Sequence, residues 1–458
     1  MVSISEAFAI ALSLHQAGNL ADAELVYRQI IAADPDHTGA LNNLALIVGG
    51  EEAIALLGRM AAVRPDNADG FVTLGSRLKE MGRLDEAISC FDRALVLKPD
   101  LSNIHLALIS ALQVRGRFDE MEAACRRVLT AGPYDIYFSV LGLLGSYLEQ
   151  RNRADDAIAF YEQASRLAPG NAYPETRRRL LLIRRQWGPP PAPAVRSLGP
   201  YIAMSSLGNN GRFGNQVIQY SFLRTYAHVH GLGLEVPDWI GRDVFGLDDP
   251  YIGTPLPFLK QADIGFSHRD RLEDIAPDRL VGWDLIGGFN QSSSAYRPHQ
   301  DFYRSLFTFS EPARRVVDPV LAELRRRGGT LVVIHLRRGD HRGLFWIAPE
   351  AWYVQWLEAL WPTLERPVLF IATDEPELAA QFTAFSPLTG ADFPAPPAGV
   401  EFLVDYAVMI EADILATSNS SFSDSASLLN RRARLFARPA RERDGLIPYD
   451  PWDAPDYW

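Results

Sequence analysis

The sequence predicts two architectures in one chain: an all-helical repeat solenoid, then an α/β region built on parallel strands. Three observations carry this. Prolines recur at Pro35, Pro65, Pro99, Pro133 and Pro169, at intervals of 30, 34, 34 and 36 residues. A proline-rich stretch, Gly188-Pro-Pro-Pro-Ala-Pro193, then breaks the pattern. Beyond it, short apolar runs ending in polar tips alternate with helical segments.

In the first 186 residues two further ladders run in phase with the prolines. One is Ala23, Ala53, Ala87, Met121 and Ala157, each followed four residues later by Tyr27, Leu57, Phe91, Cys125 or Tyr161. That is i,i+4 spacing on one helical face. The other marks turns: Gly18, Gly50, Gly82, Gly116 and Asn152. A period near 34, a small residue at a close helix crossing and a proline after the second helix resemble tetratricopeptide repeats. About five units are visible, the second shortened by four residues and the last slightly long. No unit buries its apolar face alone, so the units must stack. The resemblance implies either a stalk or self-association surface, or a concave groove that captures a protein or peptide.

The helix-like run from Tyr173 to Trp187 is expected to close the repeat domain, residues 1–186, and residues 187–199 to form a semi-rigid linker. From Tyr201 the chain reads strand (Tyr201–Met204), glycine-rich turn (Gly208 to Gln216), then helix (Gln216 to His230). Leu331-Val-Val-Ile334 reads as a buried parallel strand that delivers His335-Leu-Arg-Arg-Gly-Asp340. Pro367 to Asp374 repeats the form, with a helix start at Glu375. Val404 to Ala412 reads as a helix, Asp413 to Ser418 and Leu435 to Ala437 as strands, with a helix through Leu429 between them. Two α/β blocks follow, 200–325 and 326–458, with the ligand site in the cleft between them. Ligands of open α/β sheets bind beyond the carboxyl ends of strands. The arginines at 337 and 338 suit an anion, because the guanidinium fork donates two parallel bonds and stays charged.

The net charge of −11 argues against general nucleic-acid or anionic-membrane binding. Two cysteines, Cys90 and Cys125, are too few for a disulfide framework or a zinc site and read as core residues of a protein in a reducing compartment. No run approaches the roughly 18 apolar residues of a membrane span. A cytoplasmic protein is expected.

Four motifs in order, GRFGNQ (211–216), HLRRGD (335–340), ATDEPE (372–377) and SNSSFS (418–423), resemble the GDP-fucose-dependent fucosyltransferases. HLRRGD and SNSSFS are most similar to the α1,2 group. GRFGNQ followed by VPDWI (236–240) is closer to the protein O-fucosyltransferases. The resemblance covers the chain from about 200 onward. It implies a GT-B-type pair of Rossmann-like domains, acceptor-side then GDP-sugar-binding, and inverting transfer of L-fucose from GDP-β-L-fucose to a glycan or protein acceptor. It also implies no metal or other cofactor, and no Asp-x-Asp occurs after residue 200. The chain departs from the α1,2 pattern after SNSSFS, where Asp424-Ser425 replaces two tryptophans, which leaves sugar specificity and acceptor class open. A repeat domain ahead of such an enzyme suggests a bacterial cytoplasmic protein whose repeats recruit the acceptor or a partner. Two alternatives stand beside this reading: another GDP-sugar as donor, or a degenerate transferase acting as an adaptor.

By the resemblance, Arg337 contacts the diphosphate and stabilises departing GDP. A fixed cation there meets charge that builds in the transition state. Adjacent residues at a strand end point oppositely, so one of Arg337 and Arg338 is expected to be structural, with Asp340 as a partner. His335 is expected to line the nucleotide site. Asn419, Ser420, Ser421, Phe422 and Ser423 are expected to cap a helix, hold the diphosphate, or both. Asp405 and Asp374 are candidate partners for guanine. Gly211, Arg212, Gly214 and Asn215 are expected to face the fucose or acceptor. Asp340 and Asn215 are carried as catalytic candidates beside Arg337, while the general base stays open among Asp340, His341 and Glu350.

Overall fold

A computed structural model describes residues 3–167, 172–195, 199–209, 212–265, 267–339 and 345–454. Gly211, Asp340 and His341 lie outside the described residues. The chain divides into two compact units, Met1–Ala168 and Pro169–Trp458.

The first unit stacks α1 (Ile4–Gln16), α2 (Leu20–Ala33), α3 (Thr38–Ile47), α4 (Gly50–Val63), α5 (Ala68–Glu80), α6 (Leu84–Leu97), α7 (Ser102–Arg115), α8 (Phe118–Ala131), α9 (Tyr137–Gln150) and α10 (Ala154–Leu167). Each helix packs on the next, and the ladders explain how. Ala23, Ala53, Ala87, Met121 and Ala157 are all buried, as are Tyr27, Leu57, Phe91, Cys125 and Tyr161. The small residues admit close crossings: a Cβ added to Gly75 or Gly145 would lie 2.7 Å from the Phe91 or Tyr161 ring. The turn ladder has a backbone reason, since Gly18, Gly50, Gly82, Gly116 and Asn152 all have positive φ, +58° at Asn152. Asparagine is among the few L residues that enter that region readily. Asp34, Arg64 and Lys98 end their helices with ψ of 92°, 73° and 93° because each precedes a proline, whose ring disfavours helical ψ before it.

A ladder of ion pairs also runs along the repeats. Arg83, Arg117 and Arg153 each bond the acid three residues on, Glu86, Glu120 and Asp156, at 2.7 Å. Each also reaches back to an acid of the preceding repeat: Glu51 at 2.8 Å, Asp85 at 3.4 Å and Glu122 at 2.7 Å. Exposed pairs of this kind add little stability, typically under about 1 kcal/mol each.

The second unit begins with α11 (Ala172–Trp187), which corrects the expected boundary at 186. The helix is amphipathic, but its apolar residues Leu180 and Ile183 are fully buried in the core of the α/β unit. Its polar face is clamped there too. Arg184 bonds Asp238 at 2.6 and 2.5 Å and Asp243 at 3.1 Å twice, and Arg177 bonds Asp238 at 3.1 Å. The Thr176 hydroxyl donates to the Gly208 carbonyl at 2.7 Å. Near its middle, Gly399, at φ +99°, lies so close to the helix that a Cβ would meet Arg179 O at 2.8 Å. The prolines after α11 are also held: the Ala194 N–H donates to Asp248 O at 2.6 Å.

The rest of the unit comprises β1 (Tyr201–Ala203), α12 (Phe213–His230), β2 (Gly233–Glu235), α13 (Ile240–Phe245), β3 (Phe258–Lys260), α14 (Gln261–Ile264), β4 (Asp284–Ile286), α15 (Gln300–Ser305) and α16 (Glu311–Arg327), followed by β5 (Thr330–Leu336), α17 (Glu350–Leu360), β6 (Pro367–Thr373), β7 (Leu388–Thr389), α18 (Leu403–Ile410), β8 (Ile414–Ala416), α19 (Ser421–Leu429), β9 (Leu435–Ala440) and β10 (Gly445–Pro448). The segment from Glu375 forms a 3-10 run, Pro376–Phe385, rather than an α-helix.

The strands form two sheets, ordered β2-β1-β4-β3 and β10-β9-β8-β5-β6-β7. In the second, β5 is central, with β6 parallel on one side and β8 on the other. By position in the block the order is 6-5-4-1-2-3, which matches the doubly wound Rossmann order except that β10 runs antiparallel to β9, and the switch point lies between β5 and β8. The first sheet differs from that expectation. Its third strand pairs with β4 rather than β2, so the order is 2-1-4-3. The run 331–334 is continuously apolar because both faces are covered. Leu331 and Val333 join the core shared with α12, α18 and α19, while Val332, Ile334 and Leu336 face Tyr353 and Leu357 of α17.

Candidate functional site

The alternation along β5 decides which motif residues reach the switch point. His335 follows the Val333 face and is 3 % exposed. Its Nδ1 lies 2.8 Å from Ser418 Oγ, at the carboxyl end of β8, so the two strand ends flanking the crevice are joined directly. Ser418 belongs to SNSSFS but was not singled out by sequence, because nothing local shows that it faces a histidine 83 residues away.

The two α/β blocks meet at the same place. A Cβ added to Gly214, in the first turn of α12, would sit 2.5 Å from Phe422 N and 2.7 Å from Ser421 C. Gly214 is therefore required because the backbone at the start of α19 lies against it. Aromatic rings close the junction: Phe213 stacks on Phe402 at 4.2 Å and meets Tyr406 edge-on at 5.1 Å. Phe422 lies 5.6 Å from the His335 ring and 5.1 Å from that of Tyr406. Two helix N-termini converge here, and each carries a partial positive charge. Asn215 is half-buried in the first turn of α12, and Arg212, its N-cap residue, is exposed.

Within SNSSFS the side chains divide by role. Ser420 is the N-cap of α19, its Oγ accepting from Phe422 N at 3.3 Å. Asn419 and Ser421 are half-buried beside it. Ser423 is corrected from ligand contact to scaffold. It is fully buried, and its hydroxyl donates to Ser418 O and Ser420 O at 3.2 Å within the turn. Ser425 stands where a tryptophan would be expected and takes a 3.0 Å bond from the Tyr406 hydroxyl in the core, where an indole has no room.

The two arginines separate as strand alternation requires. Arg338 turns towards α17 and is 3 % exposed. Its guanidinium is consumed by Glu350 at 2.8 Å, Ala348 O at 2.9 Å and Arg337 O at 2.9 Å. It is scaffold, held by Glu350; the expected partner, Asp340, lies outside the described residues. Glu350 is thereby committed to an ion pair. Arg337 stays on the crevice side, its Nη1 2.9 Å from Asp374 Oδ2. Asp374 Oδ1 accepts from Arg338 N at 3.0 Å. Asp405 lies next to this pair, its Oδ2 accepting from Thr373 N at 3.1 Å. Burial pushes its carboxyl up to about 7. The Thr373 N–H opposes the shift and the Asp374 charge adds to it.

His335, Gly214 and the start of α19 thus belong to one neighbourhood at the switch point, and Arg337, two residues past His335, pairs with Asp374 beyond the end of β6. Among the described residues, no group of three or more His, Cys, Asp or Glu could hold a metal ion. Among the described residues, no helix is long and apolar enough to cross a membrane.

Comparison with known proteins bears on the first unit. Residues 8–48 and 72–136 match one tetratricopeptide repeat model, and 138–171 match a second. The chain is similar to a crystal structure of MamA, at 19% identity over 34% of this chain and 94% of that one, with a TM-score of 0.31. YrrB, described as a tetratricopeptide protein with an unusual peptide-binding site, matches at 16% identity over 37% and 88%, TM-score 0.31. PilF of Pseudomonas aeruginosa matches at 21% identity over 40% and 82%, TM-score 0.28. No curated protein is similar to the chain. The first ~170 residues are tetratricopeptide repeats, the scaffold of a protein-interaction module.

Proposed function

We propose that the second unit is a glycosyltransferase that moves L-fucose from GDP-β-L-fucose, with inversion, to a glycan or protein acceptor, and that the repeats recruit the acceptor or a partner protein. The observation that supports this is a chain of contacts that links the four motifs: Gly214 against Ser421 and Phe422, His335 on Ser418, and Arg337 on Asp374. Sequence spacing alone does not require motifs that are 200 residues apart in the chain to converge.

In this reading Arg337 and the two helix N-termini receive the diphosphate. As the glycosidic bond breaks, negative charge grows on the β-phosphate, and donors already oriented there lower the barrier without reorganising. Asp405 accepts the guanine N1–H and amino group, and loses its proton when it does so. The acceptor hydroxyl attacks the opposite face of the sugar, and the general base is left unassigned. Arginine and backbone N–H groups neutralise the diphosphate, so turnover is expected to persist in EDTA.

The test is transfer or hydrolysis of labelled GDP-fucose by the full chain with and without EDTA, beside Arg337→Ala. Loss of one such electrostatic donor lowers the rate on the order of 10²–10³-fold. Full activity in the variant, or no turnover by the wild-type protein with any acceptor fraction, ends this assignment. Turnover of a different GDP-sugar in preference to GDP-fucose would keep the fold of the site and change the donor.

A further inference from the structure

Asp374 was a candidate for binding guanine, but its geometry argues for another task. Both carboxylate oxygens are already engaged by the strand end opposite. Oδ2 meets Arg337 Nη1 at 2.9 Å, and Oδ1 accepts the Arg338 N–H at 3.0 Å. A guanine edge presents two donors side by side and needs both oxygens of one carboxylate. Asp405 is better placed for that, since the Thr373 N–H engages its Oδ2 alone among the bonds described.

The close fit extends to the next residue. A Cβ added to Gly339 would lie 2.5 Å from Asp374 Oδ2, so a side chain there would push the carboxylate away. The pairing of β5 with β6 sets the approach. Leu336 is level with Thr373, so Arg337 and Asp374 are the first residues past the last paired position on adjacent strands. The pair is largely withdrawn from solvent, at 16 % and 22 % side-chain exposure.

We propose that Asp374 is a positioning residue, which clamps the Arg337 guanidinium and the turn after β5 so that the arginine is aimed at the diphosphate before ligand arrives. This rests on the donor-site reading above. A long side chain fixed in advance loses less freedom on binding, and small misplacements of such a group cost rate. Asp374 also offsets the arginine's charge, so it favours geometry in the reacting complex over tight binding of the resting anion.

The experiment compares wild-type protein, Asp374→Asn, Asp374→Ala, Arg337→Ala and the double variant Asp374→Ala/Arg337→Ala. GDP-fucose turnover gives kcat and KM, and titrations with GDP and with guanosine give affinity. The expected result is a fall in kcat of ~10²-fold in Asp374→Ala. Asp374→Asn, which keeps an acceptor for the Arg338 N–H, should recover ~10-fold of that. KM should stay within about threefold and guanosine affinity should be unchanged, because binding and orientation are separable contributions. The double variant should be no slower than Arg337→Ala, since Asp374 acts through the arginine. Independent, multiplicative effects of the two substitutions overturn the proposal, as does loss of guanosine binding in Asp374→Asn. If Asp374→Ala does not fold, Asp374→Asn carries the comparison. If wild-type protein neither turns over GDP-fucose nor binds GDP, the donor reading falls, and the same proteins are titrated with inorganic pyrophosphate. Coupled losses there sustain the clamp; independent losses or no binding overturn it.

Discussion

Replacing Arg184 with methionine removes the cation from the clamp that holds α11 to the α/β unit. The substitution keeps most of the apolar stem and deletes four hydrogen bonds, two to Asp238 and two to Asp243. Asp238 keeps Arg177 at 3.1 Å, whereas the Asp243 side chain, 2 % exposed, loses its cation. Removing one partner of a buried ion pair costs about 3–5 kcal/mol, because the surviving charge is left uncompensated. Arg184 itself is 21 % exposed and Asp238 keeps a second arginine, which places the expectation near ~3 kcal/mol at pH 8.

The pH dependence carries a sign. Burial already holds Asp243 above the usual carboxylate range in the intact clamp, against the pull of Arg184. Without the arginine its pKa rises further. A raised carboxyl contributes stability below its unfolded value that is lost as pH climbs through the folded value. The variant's deficit therefore grows from pH 4 towards pH 8 and shrinks on acidification. Asp238 adds to the same trend. Burial raises its carboxyl, but Arg184 and Arg177 outweigh this and hold it low, so its contribution is present above the unfolded value and lost as pH falls through the folded one. All nine tryptophans lie at or beyond Trp187, so intrinsic fluorescence during urea unfolding reports the second unit alone. A deficit below about 1 kcal/mol at pH 8, or one that does not change with pH, refutes the argument that α11 belongs to this unit through a buried ionic clamp.

Gly214→Ala should separate the two α/β blocks locally, because its Cβ would meet the Phe422 backbone at 2.5 Å. Overpacking of this kind costs about 1–3 kcal/mol, read as a lower urea midpoint by tryptophan fluorescence. In the repeats, Asn152→Ala should lower the far-UV thermal midpoint by an amount equivalent to roughly 1–2 kcal/mol, while Asn152→Gly should not, because the position has φ +58°. Asp405→Asn should flatten the stability–pH curve. The wild-type carboxyl, raised to about 7, contributes stability that is full below its unfolded pKa and lost as pH rises through 7. The variant should melt higher than wild type at pH 8 and level with it near pH 4. The opposite order would show that the carboxylate form is favoured in the fold.

The repeat array was legible because its information is local. Each unit repeats the same small, apolar and turn positions, and the backbone demand at Asn152 is the one met by glycine in the other units. The central strand was legible for a similar reason: a strand covered on both faces must be apolar throughout, and 331–334 is. The site was only half legible. Strand alternation requires Arg337 and Arg338 to part, but not which side carries the crevice. The hydroxyls of SNSSFS read alike in sequence, yet Ser423 is spent inside the turn and Ser418 on His335.

What the sequence determined by itself was the phase of the repeats, the change to an α/β pattern, and the motifs that end the strands. All three are periodic or short-range properties. Only the tertiary structure decided where α11 belongs, which arginine is scaffold, and that Asp374 holds Arg337. The α11 helix has the same amphipathic pattern whichever core it joins. Its place is set by Asp238 and Asp243, 54 and 59 residues away from Arg184 in the chain. Contacts of that separation leave no periodicity to read. They exist only when the fold brings opposite charges into one buried place.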